Sequence, residues 1–263
     1  MRDVIYSVLS RIKYNDFSKI KCVNDCLNNG LSGFVFGRKN LRIKREVRRI
    51  CENKEQPVPI IILGESGTGK THLSYCIEQE VQKTGNKCIR ETTESCIDRL
   101  VMTIKDNKTL DSFLEYYHAA DVIIIDEIED MGDKTSTQKM LLECMEKLTA
   151  KRKHLILMGL PKRKELSSLL NRKHIVCNLH SMTQAQKKYF VKRILHASGI
   201  KLSKETVILI TQQNMGAIVG GLNRLIRATI DERKMGYIYL DSEKVKYILG
   251  TGFYKDSNEP KKT

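Results

Sequence analysis

The sequence predicts an α/β fold, a mostly parallel sheet covered by helices on both faces, followed by a smaller all-helical unit. Three observations predict it. Short, continuous apolar runs rich in β-branched residues occur at Ile60 to Leu63 and Val122 to Ile125, the pattern of strands buried on both faces, and His154 to Met158 is a further strand candidate. Segments with helical periodicity separate them, and such alternation implies parallel crossovers. After Leu179 the pattern is helical only, over 183 to 198, 203 to 213, 216 to 235 and 241 to 249.

Taken in order, residues 1–30 read as an N-terminal helical appendage, with Val4, Ile5, Val8, Leu9 and Ile12 near helical spacing and Asn28-Asn29-Gly30 as a turn. Residues 31–180 read as the α/β domain. Within it, Arg38 to Arg49 predicts a basic helix: seven of these twelve residues are Lys or Arg, with Ile43, Val47 and Ile50 on one face and Arg38, Arg42, Arg45 and Arg49 on another. Pro57 and Pro59 end it and lead into the first strand. Residues 71 to 83 predict a helix, Lys87 to Ile89 a strand, 93 to 118 helical segments, and 135 to 150 a helix carrying Met140, Leu141, Cys144 and Leu148. Residues 181–253 form the predicted helical lid domain, and 254–263 read as a disordered tail.

Composition narrows the class. The 263 residues carry a net charge of +15 and a pI near 9.4, which points to a polyanionic partner. Further basic clusters stand at Lys151 to Lys153, Lys162 to Lys164 and Lys187 to Arg193. Eight scattered cysteines form no CxxC pair, and the first residues carry no leader pattern, so a reducing cytoplasm is expected. Cys22 and Cys26, four apart, lack a second ligand pair and read as buried thiols. The longest uncharged apolar run, Pro57 to Leu63, is far too short to span a membrane. No Ser/His/Asp or Cys/His constellation is evident, and the six histidines lack metal-ligand spacing.

The chemistry sits in GESGTGKT: Gly64, Glu65, Ser66, Gly67, Thr68, Gly69, Lys70 and Thr71 match G-x-x-x-x-G-K-[ST] between a predicted strand and a predicted helix. The glycines permit a tight loop whose backbone N–H groups converge on phosphate oxygens at the positive end of the following helix. Lys70 is expected to reach the β and γ phosphates of ATP or ADP, and the Thr71 hydroxyl to hold Mg2+. VIIIDE, Val122 to Glu127, supplies the partner carboxylates. Asp126 is expected to organise the metal and Glu127 to act as general base.

These motifs, in this order, resemble the AAA+ domain of the bacterial chromosomal replication initiator family, DnaA, from about Phe34 to Arg227. DVIIIDEIEDMGDKTSTQ, Asp121 to Gln138, is similar to the family's Walker B stretch. FVFGRKN, Phe34 to Asn40, is similar to the segment near the adenine, which brings in Phe36 and Asn40; His72 follows the P-loop as a packed helix residue. GGLNRLI, Gly220 to Ile226, is similar to the lid motif. Helicase loaders of the DnaC type are the nearest relatives able to imitate the set.

The departures are informative. The resemblance places Leu160 where a polar sensor 1 residue is expected and Gly216 where the sensor 2 arginine is expected. The arginine finger falls within Asn171 to His174, where strict alignment favours His174 and chemistry favours Arg172. The chain stops where the family adds its helix-turn-helix domain. The resemblance implies tight nucleotide binding, slow hydrolysis, and nucleotide-dependent homo-oligomers on single- or double-stranded DNA or on a replication protein such as a helicase or initiator. Lys105, Lys108 and Lys134 are the DNA contacts it implies. A helicase loader docking through residues 1–30 and a regulatory ATPase of a phage or transposon are the competing readings.

Overall fold

The computed structural model describes residues 17–27, 30–52, 58–131, 135–160, 174–250 and 253. The chain divides into two compact units, residues 28–182 and residues 1–27 with 183–263.

The larger unit is built on five parallel strands in the order β2-β3-β4-β1-β5. They are β1 (Ile60–Leu63), β2 (Cys88–Thr92), β3 (Val122–Asp126), β4 (His154–Gly159) and β5 (Ile175–Asn178). Every residue of β3 and β4 is buried, as a central parallel strand requires when both faces are covered. Two apolar layers sandwich the sheet. Ile60 and Ile62 pack on one side with Ile43, Val47, Leu73 and Ile77. Ile61, Ile123 and Ile125 pack on the other with Leu100, Phe113 and Leu148. The first layer is supplied by α1 (Leu41–Cys51) and α2 (Lys70–Lys83), the second by α3 (Thr93–Lys105), α4 (Leu110–His118) and α5 (Thr135–Ala150).

In α1 the predicted faces separate as read: Ile43, Val47 and Ile50 are buried and Arg42, Arg45 and Arg49 exposed. Buried Glu46 lies among the arginines, 3.4 Å from Arg45 and 3.2 Å from Arg49, so the cationic stripe is partly neutralised. Strand β5 has no counterpart in the sequence reading. Its four residues, IVCN, hold three apolar side chains, only Cys177 is buried, and pairing with β1 makes it a strand.

The smaller unit is mainly helical: α6 (Gln184–Ala197), α7 (Lys204–Thr211), α8 (Met215–Ala228) and α9 (Ser242–Leu249). It also contains a short parallel ladder, β6 (Ile200–Leu202) with β7 (Ile238–Leu240), which three-residue segments are too brief to announce by periodicity. Residues Phe17–Leu27 fold into this unit rather than standing apart as an appendage. The backbone N–H of Val23 donates to Asn223 Oδ1 at 2.8 Å, so the lid motif is used for packing. Gly221 faces the ring of Phe253, where a Cβ would approach to 2.6 Å. Cys26 donates weakly to Cys22 and Ile194 carbonyls at 3.8 and 3.9 Å, and burial pushes its thiol up to about 12. Residues 1–16 and 254–263 lie outside the described residues.

Fully buried Arg233 anchors the unit. Its guanidinium donates to the carbonyls of Phe17 (2.6 Å), Ile20 (2.8 Å), Ser198 (3.0 Å) and Ile226 (2.8 Å), and to Thr229 Oγ1 (3.2 Å). Five donors in a fixed fork thus serve four carbonyls and one hydroxyl. Replacement by Ala removes all of them at once, so Arg233→Ala is expected to destabilise the unit by about 3 kcal/mol or more. Urea denaturation measures it; a midpoint within error of wild type would refute this role.

Candidate nucleotide site

The C-terminal end of β1 opens directly into the loop Gly64 to Thr71. Gly67 (φ +78°) and Gly69 (φ +97°) adopt the left-handed backbone that side chains resist. Gly64 is needed for space: a Cβ there would lie 2.7 Å from Thr68 Oγ1 and 3.2 Å from the Leu179 carbonyl. Thr68 is buried, and its hydroxyl donates to the Glu65 carbonyl at 2.8 Å, closing the turn. Glu65, Ser66 and Gly67 form the exposed rim.

Helix α2 starts differently from most others in the chain. A side chain caps α3, α4, α6, α7, α8 and α9, through Thr92, Thr109, Thr183, Ser203, Asn214 and Asp241 respectively. The N-cap of α2 is Gly69, with no side-chain hydrogen bond. Its leading N–H groups and the positive end of its dipole are therefore left for an external anion.

Lys70 is buried, and its ammonium donates to the Gly64 carbonyl at 2.7 Å and the Glu65 carbonyl at 3.3 Å. Glu129 Oε1 stands 3.8 Å away. Phosphate oxygens can take the place of those neutral carbonyls; Glu129 is a competitor of the same sign as the phosphate. The other oxygen of Glu129 accepts the N–H of Leu160 at 2.9 Å, and Gly159 leaves room for it, since a Cβ there would strike the carboxylate. The sequence reading gave Glu129 no role; the only trace in the sequence is a third acidic residue in DEIE.

Asp126 ends β3, 2% exposed. Its Oδ1 accepts the Glu127 N–H at 3.0 Å, while Oδ2 is buried without a hydrogen-bond partner among the described residues. A buried, half-satisfied carboxylate is costly unless a cation or its bound water completes it, and the donor set of Asp126 and the exposed Thr71 hydroxyl fits Mg2+. Glu127 is half-buried with φ +61°, a left-handed conformation costing about 1 kcal/mol or more for a residue with a side chain. The Asp126 carboxylate holds it there. Thr93 Oγ1 donates to the Asp126 carbonyl at 2.9 Å, tying α3 to this strand end.

An aromatic group borders the loop. Phe34 stacks on His72 with centroids 5.6 Å apart and meets Phe36 at 4.7 Å, and a Cβ on Gly69 would lie 3.6 Å from Phe34. Phe34 is buried and Phe36 half-buried. Asn40 uses its amide on the chain after β5. Its amide donates to the His180 carbonyl and accepts the His180 N–H, both at 3.0 Å, which fixes the chain after β5. That chain, Asn178 to Ser181, walls a cleft of about 280 Å³ with Gly64, Glu65, Thr68 and Leu160. Asn178 and His180 enter the cleft with no motif to announce them. Leu160, at the expected sensor 1 position, is 51% exposed. Arg172, Asn171, Lys134 and Pro161 to Leu166 lie outside the described residues; His174 immediately precedes β5.

With this geometry in view, the family model of the bacterial DnaA ATPase domain matches residues 27–181. The chain belongs to that family. The DnaA protein of Helicobacter hepaticus is 28% identical over 153 residues, covering 55% of this chain and 33% of that protein. Domain III of the Thermotoga maritima DnaA matches with a TM-score of 0.71 at 20% identity, over 86% of this chain and 97% of that one. A DnaA solved with AMPPCP and single-stranded DNA matches with a TM-score of 0.64 at 22% identity, over 75% and 64%. These likenesses establish the AAA+ fold. The chain spans about a third to a half of the length of the curated DnaA relatives it matches. No helix among the described residues is long and apolar enough to cross a membrane.

Two substitutions separate attraction from repulsion at Lys70. Lys70→Ala removes charge-assisted bonds to phosphate and is expected to weaken nucleotide binding about tenfold to a hundredfold. Glu129→Gln removes only the competing charge and is expected to tighten binding roughly two- to fivefold. Titration with a fluorescent ATP analogue reads both, and unchanged or weaker binding in Glu129→Gln would show that Glu129 does not compete for Lys70.

Proposed function

We propose that this chain is the nucleotide-responsive module of a replication initiation factor. It binds ATP or ADP with Mg2+ at Gly64 to Thr71 and assembles, according to which nucleotide is bound, on DNA or on a replication protein to start or restrain replication. The observation that carries this reading is the pairing of an uncapped helix N-terminus at Gly69 with a buried, half-partnered Asp126 at the same edge of one parallel sheet. One feature attracts phosphate and the other a cation, which is what a metal-bound triphosphate presents.

In this reading the loop N–H groups cradle the phosphates, Lys70 exchanges its carbonyl partners for phosphate oxygens, and Phe36 with His72 borders the base. Asp126 and Thr71 would hold Mg2+, which neutralises charge on the β and γ phosphates. Glu127, fixed by Asp126, orients and deprotonates the attacking water. Arg172 is the arginine assigned to the neighbouring subunit's γ-phosphate. The DnaA solved with AMPPCP and single-stranded DNA supports nucleotide and DNA as the ligands to test.

Hydrolysis is expected to be slow, because neither Leu160 nor Gly216 offers a polar side chain to the γ-phosphate. Turnover matching vigorous motor ATPases, abolished by Glu127→Gln, would contradict it. For assembly, size-exclusion chromatography with light scattering is expected to give larger species with a non-hydrolysable ATP analogue than with ADP, and larger again with single-stranded oligonucleotide. A monomer under every condition would remove the assembly from the proposal and leave nucleotide binding alone.

A further inference from the structure

The smaller unit contains a cavity of about 610 Å³ lined by lysines, tyrosines and aliphatic side chains. Lys188 and Lys192 stand one turn apart on α6, Lys201 lies on β6, and Lys204 opens α7; all four are exposed and all line the cavity. No acidic side chain is among its described lining residues. Elsewhere in the same unit lysines meet carboxylates, Lys234 with Asp231 at 2.6 Å and Lys244 with Glu232 at 2.9 Å. The cavity thus concentrates positive charge in a concave, partly apolar place, where the field on a polyanion is strongest.

Beneath the charges the floor is apolar, formed by buried Leu195, Ile200 and Val207. Two tyrosines flank it. Tyr239 is 65% exposed on β7, in register with Lys201 on β6, so the two residues share one face of the ladder. Tyr237 is held by Phe17, with centroids 4.8 Å apart, and by the Lys201 ammonium 4.7 Å over its ring. Exposed rings between lysines suit unpaired bases between phosphates, because stacking needs a free base face that duplex DNA does not present. The volume lies within the range of about 300–1,000 Å³ that small-ligand sites occupy, room for one or two nucleotides.

We propose that this cavity binds single-stranded DNA, Tyr239 stacking on a base and Lys188, Lys192, Lys201 and Lys204 neutralising the adjoining phosphates. The choice of DNA over RNA rests on the replication reading above; the site itself does not. Its lining includes no residue of the P-loop and neither Lys105 nor Lys108, of which Lys108 pairs with Asp106 at 3.1 Å.

The test is fluorescence anisotropy of the full chain with oligo-dT, oligo-rU, a duplex and heparin across salt concentrations, for wild type, Tyr239→Ala, and a variant with all four lysines changed to Ala. Each lysine that meets a phosphate should contribute about 0.7 to the slope of log affinity against log salt, so the four-lysine variant should lose about 2.8 of that slope. Tyr239→Ala should weaken oligo-dT roughly tenfold while leaving heparin unchanged. Urea denaturation of the same variants checks that the smaller unit folds, and a wild type that binds no nucleotide would fail the preceding proposal without touching this one. Unchanged oligo-dT affinity in the four-lysine variant, with affinity lost instead on changing Lys105 and Lys108, overturns the proposal. Equal losses on heparin and oligo-dT with a neutral Tyr239→Ala, or tighter binding of the duplex or of oligo-rU, overturn it as well.

Discussion

The parallel pairing of β1 with β4 and β5 is the constraint on which the nucleotide site rests. Parallel strands carry their C-terminal ends to one edge of the sheet, so the register Leu63↔Gly159 and Leu63↔Asn178 brings the P-loop, Leu160 and the Asn178 to Ser181 segment together. The neighbouring register of β3 with β4 adds Asp126 and Glu127 to that edge. Pockets in open α/β sheets form there because the strands stop and the backbone must turn away. The two apolar layers hold the register: slipping β1 by one residue would move Ile61 from one layer to the other.

Given that edge, the site is a balance of unmet electrostatic demands. Among the described residues the amides at the start of α2 have no side-chain cap and one Asp126 oxygen has no hydrogen-bond partner, and Lys70 and Glu129 stand 3.8 Å apart with opposite charges. Most other helix starts in the chain satisfy themselves with Thr, Ser, Asn or Asp, so the difference at Gly69 is local and chemical. Asn40 shows how distant sequence segments support this edge: one amide clamps the backbone at His180, and that segment walls the cleft.

The smaller unit obeys another logic. A fully buried guanidinium gathers carbonyls from Phe17, Ile20, Ser198 and Ile226 around itself. Those carbonyl dipoles stabilise the buried charge, which demands that all of them stay in place. The same unit leaves Lys188, Lys192, Lys201 and Lys204 around one cavity, so the surplus of positive charge seen in the composition acquires a location.

Motifs governed by local rules were legible in the chain alone. Gly67 and Gly69 mark a tight loop and isoleucine-rich runs mark buried strands, because each depends on residues a few positions away. The α/β class and the P-loop followed from these. Contacts between distant segments were not legible: the strand at Ile175–Asn178, the ladder of Lys201 beside Tyr239, the clamp of Asn40 on His180, the seat of Glu129 beside Lys70, and the burial of Arg233. Each is fixed by groups dozens to hundreds of positions apart, whose pairing energy exists only once the chain has folded. The sequence by itself determined which residues bear the chemistry, and the tertiary structure decided which of them meet, because charge and hydrogen bonding act through space rather than along the chain.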